Sequence, residues 1–157
     1  MKLLLHACCG PCSLEPVRIL AEAGHDITIA YLNSNIAPAS EYEHRLKTLL
    51  EWAKSQNIPV IEGPYEPATW QNAIKQNWDG TQENRADRCR ACYRIRLEEL
   101  ARYAYEHGFE GIGTTLTVSP YQYTDIINEE LERAAAPYEG LSAVFQDFRE
   151  FYPQATI

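Results

Sequence analysis

Leu3-Leu4-Leu5, an apolar run unbroken by charge, predicts a buried strand over residues 2–7. A helical pattern follows over 13–23, with Pro16 tolerable only in a first turn and Gly24 as its stop. From 25 to 32 the chain alternates. Ile27, Ile29 and Tyr31 fall on one face of a second strand, Thr28 and Ala30 on the other. Residues 33–38 are a loop by composition. Ser40 then serves as N-cap, with Glu43 completing a capping box, for a helix over 41–56 that buries Leu46, Leu49, Leu50 and Ala53. A short third strand over 58–62 is followed by a weak helix over 67–76 around Trp70 and Ile74, and by a polar loop over 78–86. A long helix runs from 87 to 107 with Gly108 as its stop, then a fourth strand over 110–116, a turn over 117–120, and a helix over 121–135 ended by Pro137. Residues 141–148 fit a fifth strand and an irregular segment equally well.

Strands alternating with helices predict an α/β fold, a parallel sheet with helices on both faces, as a single domain over 1–157. Right-handed crossovers bring the ends of the first and fourth strands to one rim, which then carries residues 8–12 and 114–119.

Composition sharpens this picture. The chain has 157 residues, 45% of them apolar, enough to bury a core. No apolar run approaches the roughly 20 residues needed to span a bilayer. With no signal-peptide pattern either, a cytoplasmic location without membrane attachment is expected. A net charge of −8 excludes a general basic coat for nucleic acid and leaves room only for a local basic patch.

Five cysteines fall in two groups, Cys8, Cys9 and Cys12 after the first strand, and Cys89 and Cys92 near the start of the long helix. In a reducing compartment this favours metal or redox chemistry over structural disulfides. Cys89 and Cys92 are three residues apart on a helix, so both sulfurs face one way. The spacing recurs in Cys9 and Cys12, and thiolates are favoured beside a helix N-terminus. The set suffices for a four-cysteine iron–sulfur cluster or for zinc. Cys9-Gly10-Pro11-Cys12 also suits thioredoxin-like exchange, although that chemistry has no use for Cys8, Cys89 or Cys92. Two cysteines on a helix can also be simple core residues.

Arg85, Arg88, Arg90, Arg94, Arg96 and Arg102 crowd the long helix. Near a helix N-terminus they suit phosphate; alternatively they form a solvated face bridged to Asp87, Glu98 and Glu99. Thr114, Thr115, Thr117 and Ser119 bring hydroxyls to the rim, and Tyr121 and Tyr123 can stack on a base. His6, on a buried strand, reads as a satisfied core histidine. The charged stretch from Glu41 to Arg45 reads at least as well as a helix start as it does as a substrate contact.

Taken together these segments resemble the QueH family of epoxyqueuosine reductases. The resemblance rests on His6-Ala7-Cys8-Cys9-Gly10-Pro11-Cys12-Ser13, on Asn35-Ile36-Ala37-Pro38 with Glu41, Tyr42 and Arg45, and on the run from Arg88 to Leu97. It continues through Thr114-Thr115-Leu116, Ser119-Pro120-Tyr121 and Asp147-Phe148-Arg149. It implies a Rossmann-like fold similar to the adenine-nucleotide alpha-hydrolase and PP-loop group, with the cysteine turn in place of the phosphate loop. It also implies a cobalamin-independent reductase of epoxyqueuosine in tRNA, with a [4Fe-4S] cluster, an additional iron ion and an electron donor. Cys8, Cys9, Cys12, Cys89 and Cys92 are then the metal-site candidates. Arg88, Arg90, Arg94, Thr115, Ser119 and Tyr121 are candidates for the substrate. Family members carry a further Tyr-Cys-Gly-Cys pair beyond the Asp-Phe-Arg segment; this sequence ends at Ile157 without it, so the five thiols are not divided between cluster and extra iron. Two other readings are a PP-loop-like tRNA thiolation enzyme, whose Ser-Gly-Gly-x-Asp-Ser loop is absent, and a zinc-stabilised binding module.

Overall fold

The computed structural model describes residues 1–8, 10–36, 38–77, 85–119 and 122–151. Five parallel strands form one sheet in the order β3-β2-β1-β4-β5. They are β1 (Lys2–His6), β2 (Asp26–Tyr31), β3 (Val60–Glu62), β4 (Gly111–Thr114) and β5 (Ser142–Ala143). Between them lie α1 (Gly10–Glu22), α2 (Ala39–Ser55), α3 (Pro67–Asn77), α4 (Arg85–Glu106) and α5 (Thr124–Ala135). β1 is central. Leu3, Leu4 and Leu5 pair with Ile27, Thr28 and Ile29 on one side and with Gly111, Ile112 and Gly113 on the other.

The unbroken apolar run of β1 follows from burial on both faces. Leu3 and Leu5 pack with Ile27, Ile29 and Tyr31 against Val17 and Leu20 of α1 and Leu46 and Leu49 of α2. Leu4 points the other way, into a second core with Ala30, Ile112, Leu97 and Leu100 of α4, and Ile127 and Leu131 of α5. The helices therefore change face where the chain passes from β3 to β4. That reversal opens a crevice beyond the carboxyl ends of β1 and β4, the place where open α/β sheets bind their ligands.

Several local expectations are corrected. α1 starts at Gly10, three residues early, because Pro11 brings a preset helical φ to the first turn. Pro16 consequently lies inside the helix, not in its first turn. With no N–H, it cannot donate to the carbonyl of Cys12. α2 is entered from Pro38, in extended conformation, with no side-chain cap bond, so Ser40 is not an N-cap. The Pro38 carbonyl accepts from the N–H groups of Glu41 and Tyr42 instead. Leu50 is 44% exposed; the buried stripe of α2 is Tyr42, Leu46, Leu49 and Ala53. Lastly, the fourth strand ends at Thr114, short of 116, and a 3₁₀ turn over 116–118 leads into the expected turn. Of the 141–148 segment, left open between strand and irregular, Ser142 and Ala143 pair as a strand. The expected loop over 78–86 lies outside the described residues as far as Asn84, and its last two positions, Arg85 and Ala86, already belong to α4. Gly108, at φ 76°, ends the long helix as expected.

Candidate functional site at the carboxyl ends of strands 1 and 4

Cys8 follows β1 by two residues, and Cys12 occupies the first turn of α1. The helix N-terminus there favours negative charge on both. Cys89 and Cys92 sit in the second turn of α4. All four are half-buried; Cys9 lies outside the described residues. Among the described residues no three His, Cys, Asp or Glu side chains form a group able to grip one ion. Corner ligation of a cluster makes no such demand, since each iron takes its own thiolate.

A buried polar chain runs from the strand end that precedes Cys8 to the helix face that bears Cys89 and Cys92. His6 is fully buried at the end of β1. Its Nδ1 lies 3.1 Å from Thr114 Oγ1 on β4, and its Nε2 lies 3.2 Å from Asn33 Oδ1 after β2. Because Oδ1 can only accept, His6 carries its proton on Nε2, and Nδ1 accepts from the Thr114 hydroxyl. Thr114 Oγ1 in turn accepts from the Leu116 N–H, and Asn33 Nδ2 donates to the Ala7 carbonyl. The second donor to Asn33 Oδ1 is Nη1 of Arg96, at 3.4 Å. Arg96 follows Cys92 by four residues and Cys89 by seven, so it shares their helix face. Burial, assisted by the Arg96 charge, pushes His6 down to about 4, so the imidazole is neutral near pH 7. The chain thus runs from β4 through β1 to the thiol face of α4.

Tyr93 supplies a second tie. Its hydroxyl donates to Gln122 Oε1 and accepts from the Tyr123 N–H, fastening the segment before α5 to α4. Burial pushes its phenol up to about 12, and Cys89 and Cys92 add to the rise.

The expected substrate residues that are described separate into three groups. Thr115 and Ser119 are on the rim; Thr115 is buried, and its N–H donates to the His6 carbonyl at 3.0 Å. Arg88 lies 5.7 Å from the centre of the Trp70 ring. Arg90 and Arg94 instead turn to α5: Arg90 Nη1 and Nη2 reach Glu130 and Glu129 at 3.0 and 2.7 Å, and Arg94 grips Glu130. The expected bridges from this face to Glu98 and Glu99 are not the ones these two arginines make; the Asp87 side chain lies outside the described residues. Tyr121 lies outside the described residues. His6 is a satisfied core histidine as expected, and it also anchors the rim. Asn33 is the residue that sequence reasoning missed, and Arg96 is one that it grouped with the phosphate arginines without setting it apart. Nothing in the loop composition marks Asn33, and Arg96 differs from its neighbouring arginines only by its position on the buried face.

No helix among the described residues is long and apolar enough to cross a membrane.

Residues 3–156 match the model of the family described as epoxyqueuosine reductase QueH. The protein named epoxyqueuosine reductase QueH from Staphylococcus aureus is 36% identical over 134 residues, 82% of this chain and 55% of its own length. Its namesakes from Acinetobacter baylyi and Haemophilus influenzae are each 36% identical over 89% of this chain, covering 63% and 56% of their lengths. The chain therefore spans a little over half the length of these curated relatives. With a match running through both thiol groups and the rim between them, this chain belongs to the epoxyqueuosine reductase QueH family.

Proposed function

We propose that the chain carries the catalytic core of a reductase that removes the epoxide oxygen of epoxyqueuosine in tRNA, yielding queuosine. The observation that carries this reading is the hydrogen-bonded bridge Thr114–His6–Asn33–Arg96, which ties the end of β1, with Cys8 and Cys12, to the face of α4 that bears Cys89 and Cys92. Cysteines from two elements that meet at the sheet's switch point are the donor set an iron–sulfur group requires. Cys8, Cys9, Cys12, Cys89 and Cys92 would hold a [4Fe-4S] cluster and a further iron. When bound, these would supply single electrons and a Lewis acid for the epoxide oxygen.

The overall change takes two electrons and two protons, breaks both C–O bonds of the epoxide and releases water. The electrons come from a one-electron donor protein or a chemical reductant. The chain's own part is to bind and orient. Ser119, with Thr115 buried behind it, is offered for the modified base, turned out of its stack, and Tyr121, outside the described residues, is offered as its stacking partner. Arg88 is the substrate arginine offered for tRNA phosphate with its guanidinium on an aromatic face. Arg90 and Arg94 can add to phosphate binding only with the nitrogens that Glu129 and Glu130 leave over. A tRNA substrate suits a cytoplasmic location.

Purification without oxygen, iron and sulfide counting, and turnover of tRNA bearing epoxyqueuosine test the proposal. The expected result is a brown protein that converts the tRNA under reducing conditions. A colourless zinc protein, or full activity after Cys89→Ser with Cys92→Ser, overturns it.

A further inference from the structure

Among the described residues Arg96 is a cation with no anion beside it. It is 6% exposed, and its Nε is buried without a hydrogen-bond partner. Its one described contact, at 3.4 Å, is to a neutral amide oxygen. Among the described residues no carboxylate lies within ion-pair distance of it. Glu66 and Glu99 line the same small cavity. Yet burial pushes the Glu99 carboxyl up, and the charge that opposes the rise is that of Arg102. A buried guanidinium left unpaired is costly, so such a residue implies a bound anion.

The surroundings narrow the choice. A tRNA phosphate cannot reach a side chain this buried, and the adjoining cavity, about 50 Å³, has room for a water but not for a phosphodiester. Arg96 shares the helix face of Cys92 and Cys89, four and seven residues before it, and its Nη1 reaches Asn33, which is bonded to His6 at the strand end before Cys8. Four thiolates around a divalent ion, or around a [4Fe-4S] core of charge two plus, leave a net charge of two minus that has to be balanced in a half-buried site.

We propose that Arg96 is the built-in counter-ion of the thiolate centre, a positioning residue that holds the charge balance of the bound metal group without ligating it. This inference rests on the metal-site reading above, and its test separates the two. The probe is Co²⁺, titrated without oxygen into the metal-free full chain, where thiolate-to-cobalt absorption reports the cysteines. Arg96→Gln should weaken Co²⁺ binding about tenfold or more, from the loss of one nearby charge at intermediate dielectric. Arg96→Lys, which keeps the charge, should stay within about threefold of the parent. Asn33→Asp hands the guanidinium a carboxylate of its own and should weaken binding as Arg96→Gln does, so the test survives poor folding of either variant. In protein that holds iron, the midpoint potential of Arg96→Gln should fall and that of Arg96→Lys should return towards the parent. Three results each overturn the proposal: equal Co²⁺ affinity in parent and Arg96→Gln, equal weakening in Arg96→Lys and Arg96→Gln, or no thiolate-to-cobalt absorption in the parent. Iron and sulfide content of the parent decides the iron–sulfur reading separately, whichever way the cobalt series falls.

Discussion

Arg94 closes on Glu130 with two parallel hydrogen bonds, Nε to Oε2 at 3.0 Å and Nη2 to Oε1 at 2.9 Å. This fork-on-fork contact, reinforced by Arg90, clamps α4 to α5 just below the thiol pair. Glu130 is 2% exposed, so the clamp has one buried end and two half-exposed ones. Burial alone would raise the Glu130 carboxyl; the bonds from Arg94 and Arg90 outweigh it and hold the group below the ordinary carboxylate range. Since the folded value is the lower one, the stabilisation is present at neutral pH and is lost as pH falls through that range. Glu130→Gln should cost about 1–3 kcal/mol at pH 7, discounted for the solvent around the arginines. In urea melts the gap between parent and variant should narrow as the buffer is acidified.

Tyr93→Phe removes one donor and one acceptor from the tie between α4 and the segment before α5. The expected cost is about 1–2 kcal/mol. The Tyr123 amide should exchange with deuterium faster than in the parent, while the far-ultraviolet circular dichroism stays the same. An unchanged exchange rate would show that the hydroxyl does not fasten this segment.

Asn33→Ala takes away the oxygen shared by His6 and Arg96 and the donor to Ala7. Three buried groups then lose a partner together, and a loss of about 2–4 kcal/mol is expected in denaturant titration. Asn33→Asp keeps the oxygen and should cost less.

Adjacent leucines on α2 check the phase of that helix. Leu49 is fully buried and Leu50 is 44% exposed. Leu49→Ala should cost about 2–5 kcal/mol, whereas Leu50→Glu should change stability by no more than about 0.5 kcal/mol. Comparable losses at both positions would contradict the burial of Tyr42, Leu46, Leu49 and Ala53 as the inner stripe.

The sheet was largely legible in the sequence because its strands carry the signals of burial plainly. The alternation of Ile27, Ile29 and Tyr31 with Thr28 and Ala30, and the unbroken leucines of β1, report which faces are covered. Helix entries were harder to read. Ser40 and Glu43 match a capping box letter for letter, yet Pro38 sets the first turn of α2 through backbone bonds alone. Leu50 matched a helical stripe whose true members include an aromatic residue, Tyr42, that also carries a polar handle to Glu62. At the site, the cysteines announced themselves by type and spacing. Asn33 and Arg96 did not, because their part depends on a contact 63 residues apart in sequence that only the fold creates. Likewise, Arg90 and Arg94 look like phosphate ligands until α5 brings Glu129 and Glu130 alongside.

β1 is flanked by a paired strand along its whole length on one side and along all but Lys2 on the other. The turn that follows it is therefore rooted in the centre of the sheet, with His6 hydrogen-bonded to Asn33 at its base. On the proposed reading, a redox group seated there would rest on a base that hydrogen bonds hold from both sides. Such a base would keep nuclear rearrangement small as each electron arrives.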